Sequence, residues 1–191
     1  MNFILQTTRK KSLLALILGI CLFSTQTAFS QVRTWDGGGD GTTWSDAVNW
    51  DANTLPISSD SVIIIAGANV TVTSGTVTCR KLGIYGNGSN QGKVTVASGA
   101  ILNVSAAATN AIAAIHATIV LFGGMLENNG TMTVTGRQNL DAIRFDNPTT
   151  GTLSSTYKGT GALTCITTAT AGTGVASGGS NGISIDRKAH V

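Results

Sequence analysis

Charged and aromatic side chains are scarce in this sequence of 191 residues, at 11% and 5% of the chain respectively. Gly, Thr, Ser, Asn, Val and Ala are abundant instead, a mixture that disfavours helices and suits short strands joined by tight turns. The low charge does not indicate disorder, because disordered chains lack the regular Val and Ile spacing seen here. The composition therefore predicts an all-β protein of one domain.

Cysteine and histidine are too few to form a recognisable metal motif. The spacing of Cys79 and Cys165 matches no metal-binding pattern. A disulfide between them and two small buried thiols are both open interpretations. His116 and His190 have no nearby Ser or Cys in a nucleophile motif. The sequence therefore predicts no cofactor and no enzymatic activity.

A cleaved signal peptide is predicted at residues 1–30. Basic residues 9–11 precede an apolar run at 13–23 that is too short to span a bilayer, and small residues favour cleavage after Ser30. A lipoprotein route through Cys21 fits poorly, because a bulky isoleucine precedes it. We therefore expect a secreted or outer-surface protein, with no integral membrane segment after the leader.

The leader carries three of the twelve basic residues, which leaves nine basic and nine acidic residues in the mature chain. This balance argues against a nucleic-acid partner, which would require a basic patch.

A segment of the mature chain repeats itself. Residues 69–77, Asn-Val-Thr-Val-Thr-Ser-Gly-Thr-Val, return 24 residues later at 93–101 as Lys-Val-Thr-Val-Ala-Ser-Gly-Ala-Ile. A weaker copy begins at Met132. Such a period indicates stacked supersecondary units. It favours a single-stranded, right-handed parallel β-helix with inward Val and Ile and outward Thr, Ser and Asn. An antiparallel β-sandwich is the alternative.

Apolar runs bounded by Gly, Ser or Asn predict ten strands in this repeat body, which we place at residues 61–191. Residues 86–92 are predicted as a loop on one side of the stack, and 106–117 as a short helix or irregular coil. The predicted strands are 62–65, 70–73, 82–85, 94–96, 101–104, 119–122, 132–135, 142–145, 163–166 and 183–185.

Residues 31–60 differ from the repeat body and are predicted to cap it, because they hold all three tryptophans, Trp35, Trp44 and Trp50. These rings either plug the apolar end of the first turn or offer flat platforms to a glycan. The plug is the favoured interpretation, since stacked folds need atypical ends and large aromatics near a terminus usually bury area.

Four of the nine carboxylates lie between Gln31 and Pro56, at Asp36, Asp40, Asp46 and Asp51. Their spacing matches neither the EF-hand loop nor the nonapeptide calcium repeat. Capping of turns is the expected role, with a calcium site at Asp36 and Asp40 as the alternative.

Asp141, Arg144 and Asp146 form the tightest charged group of the repeat body. In a strand, Arg144 and Asp146 share one face and Asp141 lies on the other. A glycosidase needs two carboxyl groups at a defined separation, and no acidic residue occurs between Ser61 and Leu126. We therefore predict a solvated ion pair, with no catalytic residue.

A Trp- and Gly-rich motif runs from Trp35 to Asp46 and continues through Asn49-Trp50, Pro56 and the apolar run 62–65. It resembles the mature N-terminus of large bacterial secreted β-strand-repeat proteins. The stretch to about Val104 is also similar to the start of G8-type extracellular domains. The first resemblance implies a right-handed β-helix with an adhesin-like role, and a glycan or a surface protein as partner. It brings no catalytic residue.

Proteins of that kind usually continue for hundreds of residues, whereas this sequence stops at Val191 without a visible cap. We therefore expect a fragment or a short relative that self-associates through an open end with unpaired backbone. The predicted function is structural or adhesive. The alternative is a carbohydrate-binding module or a fragment of a polysaccharide-degrading β-helix enzyme.

Overall fold

The computed structural model describes residues 30–106, 117–137, 141–146, 153–168 and 183–185. Except for Ser30, the predicted leader lies outside these ranges, as does most of the predicted helix or coil at 106–117. Within them, the helical segments are two 3-10 turns, Ala47–Asn49 and Asp51–Asn53. No helix of the described part is long and apolar enough to cross a membrane.

The described strands form three sheets. The first sheet contains β1 (Val32–Thr34), β2 (Ser61–Ile64), β5 (Lys81–Asn87), β9 (Ala117–Phe122), β12 (Asp141–Asp146) and β15 (Ile183–Ile185), with β6 (Asn90–Gln91) paired to β5. The second contains β3 (Asn69–Val72), β7 (Lys93–Val96), β10 (Met125–Asn128) and β13 (Thr156–Lys158). The third contains β4 (Thr76–Cys79), β8 (Ile101–Ser105), β11 (Thr131–Arg137) and β14 (Ala162–Thr168).

Consecutive strands visit the three sheets in rotation. The chain passes through β2, β3 and β4, then β5, β7 and β8, then β9, β10 and β11, and then β12, β13 and β14. Each strand pairs in parallel with the strand one circuit later, and the antiparallel strand pair of the described part is the short hairpin of β5 and β6. The all-β prediction is confirmed. The antiparallel sandwich is wrong, because neighbours in a sheet are successive circuits that run the same way.

All ten predicted strands are present, with bounds that shift by a few residues at most. Five strands were not predicted, namely β1, β4, β6, β10 and β13. Their runs are short or carry polar residues, as in Met-Leu-Glu-Asn of β10 and Thr-Tyr-Lys of β13. These segments become strands because a neighbouring strand pairs with them, a tertiary effect that outweighs local propensity.

The register confirms the first half of the repeat and corrects the second. Val70 pairs with Val94, 24 residues on, whereas Val77 pairs with Leu102, 25 residues on. The predicted match of Val77 with Ile101 is therefore wrong by one residue. The corner between β7 and β8 is one residue longer than the corner between β3 and β4. The additional residue is Ala100, which is buried and donates its N–H to the Ala97 carbonyl at 3.0 Å.

The weaker copy at Met132 is not a third copy of the same strand. Met132 pairs with Leu102 in the third sheet, and the residue that continues the Val70–Val94 column in the second sheet is Leu126. The similarity arises because strands of both sheets alternate inward apolar and outward Thr residues, so they share one sequence pattern without occupying the same place.

Inward side chains of successive circuits stack directly above one another and form the core. Each column runs perpendicular to the strands, at the spacing of about 4.8 Å that parallel pairing imposes. The columns are Val62–Leu82–Ile119–Ile143 and Ile64–Ile84–Leu121–Phe145 in the first sheet, Val70–Val94–Leu126–Tyr157 and Val72–Val96–Asn128 in the second, and Val77–Leu102–Met132–Leu163 and Cys79–Val104–Val134–Cys165 in the third.

Two kinds of residue allow the chain to turn tightly between sheets. A Cβ at Gly124 would collide with the Ile84 carbonyl oxygen, so the corner after β9 admits no side chain there. At the start of β2, the buried Asp60 accepts hydrogen bonds from the backbone N–H groups of Gln31 at 3.0 Å and Ile57 at 3.1 Å. Its carboxylate also lies 3.6 Å from Nε of Arg33. Asp60 thus connects the turn before β2 to β1 and the residue that precedes it.

The core columns predict a large stability difference between inward and outward truncations. Leu102→Ala removes a fully buried side chain between Val77 and Met132, so we expect it to lower the free energy of unfolding by about 2–5 kcal/mol. Ser98→Ala at an exposed corner serves as the control, with an expected change within about 0.5 kcal/mol. Urea denaturation measures both. Equal effects would contradict the stacked-core description.

Candidate functional site

The three tryptophans are part of the core. Trp35, Trp44 and Trp50 are 2%, 2% and 0% exposed. The ring of Trp50 packs edge-on against the other two, with centroids 5.0 Å from Trp35 and 4.8 Å from Trp44. Its Nε1 donates to the Trp44 carbonyl at 2.8 Å, which satisfies the one polar group that this ring buries.

The tryptophan segment also covers the first strands of two sheets. β1 pairs with β2, the next strand of the first sheet. In the second sheet, the N–H of Trp44 donates to Thr71 of β3 at 3.0 Å, and the N–H of Thr71 donates to Thr42 at 2.7 Å. Backbone groups of these edges are therefore paired, and the rings lie beneath them against the apolar columns.

Asn49 organises the glycine-rich loop between the first two tryptophans. Its Oδ1 accepts from the N–H groups of Gly39 at 2.9 Å and Gly41 at 2.8 Å, and its Nδ2 donates to Oδ1 of Asp40 at 2.8 Å and to the Thr43 carbonyl at 3.0 Å. All four bonds of the buried amide are satisfied. The loop is thus held by one side chain that the sequence analysis did not single out.

The loop carboxylates bind backbone N–H groups. Oδ1 of Asp40 accepts from Thr42 at 2.8 Å and Thr43 at 2.7 Å, and hydrogen bonds led by Thr43 hold the pKa of Asp40 far below its usual value. Asp46 accepts from Asp40 and Val48. Asp36 accepts from Gly38 at 3.0 Å. The observed role is turn capping, and among the described residues no three acidic, His or Cys side chains converge as a metal site.

Burial removes the tryptophans from contact with a ligand. A sugar stacks on an exposed ring face, and at Trp35, Trp44 and Trp50 the protein itself covers the rings. These residues instead fill the end of the core. The predicted glycan platform, if the protein has one, must use other aromatic side chains.

Both cysteines of the described part are free thiols. Cys79 and Cys165 stand at opposite ends of one inward column, with Val104 and Val134 between them. Burial raises the pKa of both thiols, with a further contribution from Asp60 at Cys79. They act as small apolar side chains. His116 and His190 lie outside the described residues.

Arg144 and Asp146 share the outer face of β12, as expected. Nε of Arg144 donates to Oδ1 of Asp146 at 2.8 Å, and the two side chains are 29% and 23% exposed. Asp141 is three residues before Arg144 and so lies on the other face of the strand. Two carboxylates on opposite faces of one strand do not flank a single glycosidic bond.

An aromatic pair that sequence analysis missed lies next to this ion pair. Tyr85 of β5 pairs in register with Phe122 of β9, and Phe122 pairs with Asp146 of β12. The two rings are partly exposed, with centroids 6.2 Å apart and a tilt of 50°. Burial raises the pKa of Tyr85. The sequence feature that could have revealed this pair is an aromatic residue followed by Gly near the end of each of two long apolar strands, Tyr85-Gly86 in β5 and Phe122-Gly123 at the end of β9.

A charged cluster lies on the outer face of the second sheet. Oε2 of Glu127 is 2.9 Å from Nζ of Lys93 and 3.5 Å from Nζ of Lys158, one circuit to either side. Nδ2 of Asn129 donates to Oε1 at 3.2 Å. The hydrogen bonds from Lys93 and Asn129 lower the pKa of Glu127 to about 2.

Comparison of the chain with protein-family models, with curated proteins and with solved structures finds no match. The resemblance to β-strand-repeat and G8-type proteins therefore stays a prediction from the motif alone. The candidate site is the outer face of the first sheet, where partly exposed aromatic and charged side chains adjoin.

The buried tryptophans predict a stability effect. Trp44→Ala removes a ring from the core and its edge contact with Trp50, so we expect the free energy of unfolding to fall by about 3–5 kcal/mol. Thermal unfolding followed by circular dichroism measures the change, and Ser45→Ala at the exposed neighbouring position is the control. Unchanged stability together with lost glycan binding would instead support the platform interpretation.

Glu127 predicts a pH dependence. Its pKa is lower in the folded chain than the ordinary value of 4.5, so its contribution to stability is complete above about pH 4.5 and is lost as the pH falls to about 2. We expect Lys93→Met to return the pKa of Glu127 towards 4.5, because it removes the hydrogen bond that lowers it most. NMR titration of the carboxyl carbon measures this.

Lys158→Met is the matched control, since that ammonium is farther from the carboxylate. A shift as large as that of Lys93→Met would show that net charge, rather than the hydrogen bond, sets the pKa.

Proposed function

We propose that this protein is a secreted or surface-displayed structural module with an adhesin-like role, built as a right-handed parallel β-helix with a tryptophan-filled N-terminal cap and lacking enzymatic activity. The observation that carries the proposal is the alignment of inward columns through three parallel sheets. A chain that visits three sheets in rotation winds as a helix of strands, and parallel crossover connections are right-handed in nearly all proteins.

The outer faces suit display rather than further packing. In the third sheet, outward Thr78, Asn103, Thr133 and Thr164 form one register column. In the second sheet, Thr71 and Thr95 pair in register, and the same outward column continues with Glu127 and Lys158. β-branched Thr fits a pleated surface. A stack of this kind presents regular polar surfaces over an apolar interior.

Export is supported by the leader pattern at residues 1–30, whose basic, apolar and small-residue regions occur in the order that a signal peptide requires. The Trp- and Gly-rich opening supports the same conclusion through its resemblance to secreted repeat proteins. A non-enzymatic role is supported by the carboxylates, because Asp40 and Asp46 bind backbone and Asp146 pairs with Arg144.

Surface display is tested in cells that make the protein. We expect the mature N-terminus to be Gln31 and the protein in intact cells to be sensitive to added protease, while a cytoplasmic marker is protected. Deletion of the gene should reduce attachment to surfaces or to other cells. The wild-type gene should restore attachment, and the core variant Leu102→Ala should not.

A protein that keeps its first thirty residues and is protected from protease in intact cells would contradict export. Normal attachment after deletion would contradict the adhesive role, and release of sugar from polysaccharide by the pure protein would favour the enzyme alternative.

A further inference from the structure

We propose that the outer face of the first sheet binds a neutral pyranose unit of a polysaccharide through Tyr85, Phe122, Arg144 and Asp146. This proposal rests on the proposed function, since it names the ligand class of a displayed surface. It replaces the three tryptophans with another set of aromatic residues as the glycan contact.

The aromatic part of this surface is preorganised by the sheet. Tyr85 and Phe122 pair in register on neighbouring strands and point outward, because Ile84 and Leu121 beside them point into the core. A Cβ at Gly83 would lie 2.7 Å from Cε2 of Tyr85, so the missing side chain lets that ring lie against the sheet. Rigid, partly exposed rings suit stacking on the C–H face of a sugar, since little side-chain freedom is lost on binding.

The polar part is fixed beside the rings. Asp146 is the register partner of Phe122, and Arg144 precedes it by two residues on the same face. Ser155 holds the backbone here, because its hydroxyl oxygen lies within hydrogen-bond distance of the carbonyl oxygens of Leu121 and Asp146, can donate its one proton to either of them, and accepts from the N–H of Gly123 at 2.9 Å. A carboxylate and a guanidinium at fixed positions can accept from and donate to vicinal sugar hydroxyls.

The composition of the surface selects the ligand. The ion pair is neutral overall, which favours an uncharged sugar over an acidic one. The exposed apolar part consists of the two partly exposed rings and of Ile65, which follows β2, whereas a stable protein interface takes roughly 20–30 residues per partner. Small aromatic patches bordered by hydrogen-bonding groups match one or two sugar units better than a protein partner.

The outer faces of the other two sheets give a contrast. Their described outward columns are dominated by Thr, Asn, Lys and Glu, and they carry no aromatic side chain opposite a neighbouring aromatic. A sheet face that contacts only solvent does not require a pair of aromatic rings. The rings on the first sheet therefore indicate that its outer face binds a ligand.

The test uses the mature chain, residues 31–191, in affinity electrophoresis through gels that contain soluble neutral glucan, mannan, galactan or xylan. We expect retardation by at least one polysaccharide. Phe122→Ala and Asp146→Asn should each weaken it ten-fold or more, and Tyr85→Phe, which keeps the ring, should retain most of it. Thr133→Ala on the third sheet is the matched control and should bind as the wild type does.

Circular dichroism establishes that each variant is folded, and Asp146→Asn keeps the proposal testable if Phe122→Ala does not fold. Absence of retardation in all four gels, unchanged binding by Asp146→Asn, or equal loss in Thr133→Ala would overturn the proposal. If the protein is displayed on cells but binds no polysaccharide, this inference fails and the proposed function stands. If it binds polysaccharide but stays inside cells, the proposed display fails, whereas the sugar-binding surface itself is supported.

Discussion

The structure depends on the parallel pairing of each strand with the strand one circuit later. That pairing satisfies the backbone hydrogen bonds and, at the same time, sets the inward side chains directly above one another. Val62, Leu82 and Ile119 are buried because they share one column, although successive members of that column are 20 and 37 positions apart along the chain. A residue in such a column contacts its equivalents in adjacent circuits, so the core is built circuit by circuit.

A stack of this kind is most exposed at its ends, and the tryptophan segment shows how one end is closed. β1 and Thr42 supply the backbone partners for the first strands of two sheets, and the three rings fill the apolar space beneath. Asn49 and Asp40 hold the intervening loop. The polar residues that resemble a calcium or glycan site in sequence are thus used to shape a hydrophobic plug.

The polar core position at Asn128 shows that the columns are not uniformly apolar. It follows Val72 and Val96 in the second sheet, and its side chain donates to the Ala162 carbonyl at 3.0 Å and accepts from Gly130 at 3.1 Å. A buried amide is tolerated when its bonds are made. The bond to Ala162 reaches β14, one circuit later, whereas the bond from Gly130 closes the corner of its own circuit, so Asn128 joins adjacent circuits at a corner.

Sequence alone determined the strand-rich class, ten strands and the first half of the repeat, because alternating Val and Thr is a local pattern with period two. It did not determine β10 and β13, the one-residue shift after Ala100, or the pairing of Tyr85 with Phe122. Each of these depends on which distant segment lies alongside. Local pattern decides which side chains point inward along a strand. Only the packed circuits decide which residues meet across strands, because register is set by corner lengths and by the neighbour that completes the backbone hydrogen bonds.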